Sequence, residues 1–353
     1  MRDFQKNLIH YKKTTKEALK KINTISDQYP QEPLALFAID DDGILIGTFT
    51  DGDIRRSLLN GKSIEDPVEE VMNTDFSFLR KESYSLNEVN KFCEKNIKLI
   101  PILDKNDRPI KIIDLNQKKT ILPVDAMIMA GGKGTRLRPL TEDTPKPLIE
   151  IGGKPIIEYN IDRLNQYGID NLVLSVNYLG EQLVNYFGDG SSKEMEIRYV
   201  HETKPLGTIG SVSLVDKFHH ENVLLMNSDL LTTIDYYDFY KDFLKKDADM
   251  AVASIPYDVK IPYAVLETNG EGITSFKEKP EYTYYSNAGI YLIKKELLKR
   301  IPKGEFVDVT DFMESLISDG KKVTYFPILG YWLDIGRHED LEKAKKDIQL
   351  LRL

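Results

Sequence analysis

Apolar and polar positions along this chain follow two different rhythms. In the first third, Thr14 and Thr15 precede Ala18, Leu19 and Ile22 at helical spacing, and a strand-like run follows at 34–39. Asp41-Asp42-Gly43 marks a turn, 44–49 reads as a second strand and 52–59 as a helix. The order then recurs, with a helical stretch at 85–94, a strand at 99–103, a turn at 104–107 and a strand at 110–113. Residues 67–72 lie between the two units. The pattern predicts a small α+β pair of similar units over residues 1–118.

From Val124 onward the rhythm is that of a larger α/β unit spanning 122–353. Short apolar runs at 126–130, 172–176, 223–226 and 250–253 are separated by helical stretches such as 156–167 and 179–187. Strand and helix in alternation predict a mostly parallel sheet covered on both faces. Ligands on such sheets bind at the carboxyl ends of the strands, so the residues just after these runs are the candidates for function.

Composition narrows this picture. A chain of 353 residues exceeds one ordinary core and predicts two domains. With 41% hydrophobic and 29% charged residues and no apolar run near the roughly 18 that suggest a membrane span, no membrane segment is expected. Met1 to Lys6 carry no apolar core of a secretory leader, so a cytoplasmic location is the default expectation. The single cysteine, Cys93, excludes an internal disulfide framework and a cysteine-based zinc cluster, and its setting among Leu86, Val89 and Phe92 predicts core packing. His219 and His220 are adjacent, which is poor spacing for a shared metal ion. Glu196 and Lys193 lie in a polar stretch and read as surface.

Charge is distributed unevenly. Residues 1–120 hold 20 basic and 20 acidic side chains, so the whole net charge of −8 lies in the remainder. No broad basic face for nucleic acid is expected there, and a polyanionic ligand would need locally concentrated cations or a metal ion.

Such a concentration follows the first strand of the larger unit. Ala130 leads into Gly131-Gly132-Lys133-Gly134-Thr135-Arg136, whose three glycines let backbone amides approach a phosphate. The spacing fits neither a dinucleotide-binding G-x-G-x-x-G nor a P-loop. It continues into Leu137-Arg138-Pro139-Leu140 and then Thr144-Pro145-Lys146-Pro147-Leu148. Further on come Glu202 with Pro205-Leu206-Gly207-Thr208, Asn227-Ser228-Asp229, Phe276-Lys277-Glu278-Lys279-Pro280, Ser286-Asn287-Ala288-Gly289 and Tyr331-Trp332-Leu333-Asp334-Ile335-Gly336. In this order the segments resemble the nucleotide-sugar pyrophosphorylases, a family of sugar-phosphate nucleotidyltransferases, from about Val124 to the C-terminus.

That resemblance implies a Rossmann-like, GT-A-like fold and a Mg²⁺-assisted transfer of a nucleotidyl group from an NTP to a sugar 1-phosphate. It makes Arg136, Lys146 and Asp229 the catalytic candidates, and Asp229 and Asp334 the metal ligands. Asp229 is alternatively a helix N-cap, and Asp334 a structural acceptor for backbone amides. Ala130, Gly131, Gly132, Gly134, Thr135, Glu202, Gly207 and Thr208 would hold the nucleotide, and Glu278, Lys279 and Asn287 the sugar, unless Glu278 and Lys279 are simply an exposed charged hairpin. Glu202 only accepts hydrogen bonds, which suits the donor-donor edge of guanine, so GTP is favoured and UTP or dTTP is the alternative. A non-catalytic nucleotide-sugar sensor is a further alternative.

The first third resembles a tandem pair of cystathionine-β-synthase (CBS) domains, chiefly through Gly47-Thr48-Phe49-Thr50-Asp51-Gly52-Asp53. The second unit departs, since Ile110 to Asp114 lacks the Gly and the Thr. The resemblance implies adenine-nucleotide sensing through Thr50 and Asp53, or dimerisation, and hence a homo-oligomer. Asp53 reads equally as a helix-start residue favoured by the dipole.

Overall fold

Apolar runs too short for helices and bounded by Gly, Asp and Asn become strands in the computed structural model, which describes residues 4–81 and 83–351. Met1 to Asp3, part of the segment read for a leader, lie outside the described residues. Two compact units are present, Met1–Pro123 with Gln166–Gly168, and Val124–Asn165 with Ile169–Leu353.

In the first unit, β1 (Leu8–His10), α1 (Thr15–Gln28), β2 (Leu36–Ile39), β3 (Leu45–Phe49) and α2 (Asp51–Leu59) precede β4 (Leu79–Arg80), α3 (Leu86–Glu94), β5 (Leu99–Leu103) and β6 (Pro109–Asp114). Two three-stranded sheets result, ordered β1-β2-β3 and β4-β5-β6, each with one parallel and one antiparallel pairing. The three helices all start on a capping box, at Thr14 with Glu17, Thr50 with Asp53, and Ser85 with Glu88. Such reciprocal capping satisfies two otherwise orphaned amides at each start.

The α3 helix corrects one expectation. Leu86 and Val89 are buried, but Cys93 is exposed. Seven residues after Leu86 and four after Val89, Cys93 is on the same helix face, but it stands in the last turn of α3, beyond the two buried positions.

The second unit is organised on seven strands in the order β11-β10-β7-β12-β17-β14-β18. In chain order its elements are β7 (Val124–Met129), the short hairpin β8 (Glu150–Ile151) and β9 (Lys154–Pro155), α4 (Ile156–Gln166), β10 (Asn171–Val176), α5 (Gly180–Phe187) and β11 (Glu196–His201). Then come β12 (Asn222–Asn227), β13 (Leu230–Thr232), α6 (Tyr236–Lys245), β14 (Met250–Lys260), β15 (Val265–Thr268), β16 (Ile273–Lys277) and β17 (Glu281–Lys294). The chain closes with α7 (Lys295–Leu298), α8 (Val309–Ser318), β18 (Val323–Pro327), β19 (Trp332–Asp334) and α9 (His338–Asp347).

Strands β11, β10, β7 and β12 are mutually parallel, whereas β17 runs antiparallel to both β12 and β14. Met127, Val173, Val223 and Leu225 face a core shared with Phe312 and Leu316 of α8. Their neighbours Ala126, Ile128, Leu172, Leu174 and Leu224 are also buried. Both faces are therefore covered, and the strands read as continuous apolar runs rather than alternating ones.

Asp125, in β7, is fully buried and accepts hydrogen bonds from the backbone amides of His219 and His220; its other oxygen is 3.0 Å from Nδ1 of His220. Much of the histidine pair's hydrogen bonding is thus used to fix the approach to β12, as a buried carboxylate requires.

Beyond the main sheet, β14 and β17 continue as a two-stranded ribbon, pairing Ile255 with Ser286 through Lys260 with Glu281. The β15–β16 hairpin lies at its far end. Tyr257, Tyr284 and Phe276 on this arm are 63%, 59% and 67% exposed, so the arm contributes little to the core.

Candidate active site

Four parallel strands end on one cleft of about 500 Å³. Gly131 to Arg136 follow β7, Asn177 follows β10, Glu202 follows β11, and Ser228 and Asp229 follow β12; all line it. Pro205 to Thr208 and Phe306 border the same space. The strand-end rule therefore gathers residues far apart in sequence into one place.

The glycine loop is shaped by what surrounds it. Gly134 has φ +61°, and a Cβ there would lie 2.9 Å from Cβ of Lys146 and 3.0 Å from Cγ2 of Thr141. Thr141 also donates to the Gly134 carbonyl at 2.9 Å. Only glycine meets both the left-handed backbone and the close approach. Thr135 to Leu137 form a single 3-10 turn that leaves Arg136 exposed on the cleft wall, against Gly336.

Lys146 is 8% exposed, and its ammonium donates to Oδ2 of Asp229. A buried cation needs such a partner, because its desolvation is otherwise uncompensated. Asp229 is no helix cap: it leads directly into β13, and the cap of α6 is Asp235. β13 pairs with β19, setting Leu230 opposite Asp334, and the amide of Ile335 donates to the Asp229 carbonyl at 3.0 Å. This pairing puts Asp334 beside Asp229. Burial, followed by the nearby Asp229 charge, pushes the Asp334 carboxyl above its ordinary range, while Lys146 and Arg136 partly offset this. Its Oδ1 is buried without a hydrogen-bond partner, so it is not serving as a structural acceptor for backbone amides.

Two carboxylates with an orphaned oxygen suit a hard divalent cation. Among the described residues no group of three or more His, Cys, Asp or Glu side chains is positioned to hold a metal. Mg²⁺ typically takes only one or two carboxylates and completes its shell with phosphate oxygens and water, so Asp229 and Asp334 fit that ion.

Glu202 is held on three sides. Oε1 accepts from the Ser175 hydroxyl at 2.5 Å, Oε2 accepts from the Leu206 amide at 3.3 Å, and its carbonyl accepts from Nδ2 of Asn177 at 2.7 Å. Gly207, at φ +75°, approaches the Val307 carbonyl closely. The Thr208 hydroxyl accepts from the Val309 amide at 2.7 Å and so caps α8. Thr208 thus has a structural task, while its exposed position still borders the cleft.

The sugar candidates are placed differently. Glu278 and Lys279 are exposed at the turn between β16 and β17, with Lys279 at φ +42°, and neither lines the cleft. Asn287 sits at the base of the ribbon, donating to Tyr291 Oη at 2.9 Å and accepting from the Gly289 amide at 2.9 Å. It is exposed and also outside the cleft lining. Ala130 is buried behind the loop, its amide donating to the Ser175 carbonyl at 2.9 Å. Lys193 is more engaged than a free surface residue, since it donates to Glu158 and, at 2.8 Å, to Asp162. Sequence reasoning missed Ser175, Asn177 and Phe306. The signal available for Ser175 was one hydroxyl in the otherwise apolar run 172–176.

An α/β sheet with a glycine loop, a buried lysine and two adjoining aspartates at its strand ends defines a nucleotide- and phosphate-handling site. The chain belongs to the nucleotidyl transferase family, whose model matches residues 125–350. It is 32% identical over 231 residues to a mannose-1-phosphate guanylyltransferase of Mycobacterium tuberculosis, covering 64% of each chain. The match therefore spans just under two-thirds of that relative's length. A D-glycero-alpha-D-manno-heptose 1-phosphate guanylyltransferase of Aneurinibacillus thermoaerophilus is 32% identical, with 64% of this chain and 99% of that one covered. A UTP--glucose-1-phosphate uridylyltransferase of Haloferax volcanii is 31% identical over 64% of this chain and 97% of its own. Among solved structures, one from Bacillus anthracis, assigned to the glucose-1-phosphate thymidylyltransferases, shares the fold at TM-score 0.53, with 22% identity and coverage of 65% and 97%. Among the described residues no helix is long and apolar enough to cross a membrane.

Proposed function

We propose that residues 122–353 transfer a nucleotidyl group from an NTP, with GTP favoured, to a hexose or hexosamine 1-phosphate. A phosphate oxygen of the sugar 1-phosphate attacks the α-phosphorus in line, the bond from that phosphorus to the bridging oxygen breaks, and pyrophosphate leaves. No protein nucleophile is needed, so the side chains position the substrates and neutralise charge. The observation that carries this reading is the gathering of Gly131 to Arg136, Lys146 and Asp229 on one cleft.

In this reading the loop amides of Gly131, Gly132 and Gly134 cradle the triphosphate, with Ala130 and Thr135 flanking them. Arg136 offers a planar fork to the leaving phosphates. Lys146 bridges the α-phosphate and the sugar phosphate. Asp229 and Asp334 would hold Mg²⁺, which supplies charge neutralisation between two like-charged reactants when bound. Glu202, with Gly207 and Thr208 beside it, reads the base, and Glu278, Lys279 and Asn287 read the sugar. The guanine preference is supported by the chemistry of Glu202, whose carboxylate retains two lone-pair sites after accepting from Ser175 and Leu206.

Incubation of the purified protein with each of four triphosphates and a panel of sugar 1-phosphates, followed by pyrophosphate release, tests the assignment. Release with GTP is expected. Release with UTP or dTTP alone would move it to the uridylyl- or thymidylyltransferases, and absence of release with every pair would favour a non-catalytic sensor.

Residues 1–118 are proposed to form a CBS pair that regulates or dimerises the enzyme in the cytoplasm. The repeated sheets and a cleft of about 600 Å³ lined by Thr48, Thr50, Asn73, Lys95 and Lys98 support this reading. Asp53 does not line that cleft. One of its oxygens accepts from the Thr50 amide and hydroxyl at 2.8 and 2.6 Å, and the other pairs with Arg56 at 2.5 Å. An adenine nucleotide using the Asp53 carboxylate must therefore compete with Arg56, a competition that calorimetric titration of wild type and Arg56→Ala with AMP and ATP would expose.

A further inference from the structure

The strand β10 is buried at all six positions, and at 0% exposure Ser175 brings a hydroxyl into it. A buried hydroxyl costs stability unless it is bonded, and in this case the bond leaves the strand altogether, reaching the side chain of Glu202 27 residues on. We infer that Ser175 is a positioning residue for base selection, locking the carboxylate of Glu202 in the orientation that meets the nucleobase. The inference rests on the reading that Glu202 faces the base.

An ionised carboxylate offers about four acceptor sites on its two oxygens. Ser175 fills one on Oε1 from behind, and the Leu206 amide fills one on Oε2. One site on each oxygen then remains for a ligand, an acceptor-acceptor pair that matches the N1–H and 2-amino donors of guanine. The backbone cannot shift to compensate, because the Glu202 amide donates to the Val176 carbonyl at 2.9 Å and its own carbonyl is held by Asn177. Gly131 leaves room for the carboxylate, since a Cβ there would lie 2.7 Å from Oε1. Ser175 is thus the one member of the clamp that acts through a removable side chain on the carboxylate itself.

The hydroxyl has a second property. It can donate to a carboxylate or rotate to accept from an amide, so it orients either Glu or Gln at position 202. In Glu202→Gln the Leu206 amide requires the side-chain carbonyl on its own side, leaving the NH₂ towards Ser175. The face presented to the base is then one acceptor and one donor, which matches uracil or thymine.

Steady-state kinetics of the full chain with GTP and UTP test this. Ser175→Ala is expected to raise KM for GTP about tenfold with kcat within about threefold, and to lower the ratio of kcat/KM for GTP over UTP by about tenfold. KM for the sugar 1-phosphate should stay put, and Ser175→Thr should restore the ratio by returning the hydroxyl. Glu202→Gln should shift preference towards UTP, and the double variant Ser175→Ala, Glu202→Gln should show a smaller shift, because the Leu206 amide is then the side chain's only anchor. Equal loss with both triphosphates, an unmoved ratio in Ser175→Ala, or full additivity of the two substitutions would overturn the inference. Failure of the underlying reading looks different: Glu202→Ala would leave the base ratio of wild type intact.

Discussion

Lys146 reaches Asp229 across 83 residues of chain and Ser175 reaches Glu202 across 27, whereas Glu278 and Lys279 stand exposed at a turn beyond an isolated ribbon. The cleft end, proposed to hold the triphosphate, is bolted together by partly buried long-range bonds. The exposed turn, proposed to read the sugar, rests on a two-stranded extension that β12 and β18 no longer flank. Two-stranded ribbons have little stability of their own in water, so this arm can change position at small cost. The difference separates what must be fixed in advance from what can adjust to its ligand. Charge stabilisation demands preorganised groups, because reorganising them during the reaction would forfeit the gain.

The largest expected effect lies at the preorganised end. Arg136→Ala should lower kcat at least about a hundredfold, the usual cost of removing a group that meets developing charge. A fall of less than about tenfold, measured by pyrophosphate release at saturating substrates, would mean that the arginine is not on the leaving phosphates.

Asp334→Asn probes the same end through stability. A carboxyl whose folded pKa lies above its unfolded value makes the folded state bind more protons between the two, so stability falls as pH rises through that window. Measured against Asp334→Asn, the metal-free wild type should lose melting temperature as pH rises from the ordinary aspartate range through the raised pKa of Asp334. At neutral pH the variant should melt a few degrees higher without Mg²⁺ and gain less from its addition. An unaltered pH profile in a melting series would show that Asp334 bears no such penalty.

Much of the preorganised end was readable in the sequence because its parts follow apolar strands, and the strand-end rule holds wherever a parallel sheet forms. Gly134 is legible too, as a residue demanded by backbone conformation. The role of Ser175 was not, because a hydroxyl in an apolar run does not name its partner, and the partner lies 27 residues on, after the strand beside β10. Asp229 could not be told from a helix cap by pattern alone, since the three residues that follow it pair as β13 with a strand about 100 residues later. Cys93 misled for a similar reason. Its spacing from Leu86 and Val89 puts it on their helix face, but whether another element covers the last turn of that face is decided by tertiary packing. The sugar arm reads as strands in sequence, but nothing local says whether those strands join a sheet or stand free.

At the adjustable end a clean separation of kinetic constants is expected. Glu278→Ala should raise KM for the sugar 1-phosphate about tenfold, the value of a hydrogen-bonded charged acceptor, and leave KM for the triphosphate within about twofold. If both constants rise together, the ribbon serves the whole site and the contrast between the two ends disappears.

The smallest effect concerns Lys279, held at φ +42° in a position where glycine would be free of strain. A non-glycine residue in that region costs on the order of 1 kcal/mol. Lys279→Gly should therefore relieve the turn, slowing hydrogen exchange of the amides in β16 and β17, while KM for the sugar 1-phosphate rises about fivefold through loss of the ammonium. Lys279→Ala would lose the ammonium and keep the strain, so the two variants should agree in KM and differ in exchange. Should Lys279→Gly exchange no more slowly than wild type, the turn stores no strain and the lysine's left-handed backbone costs the arm nothing.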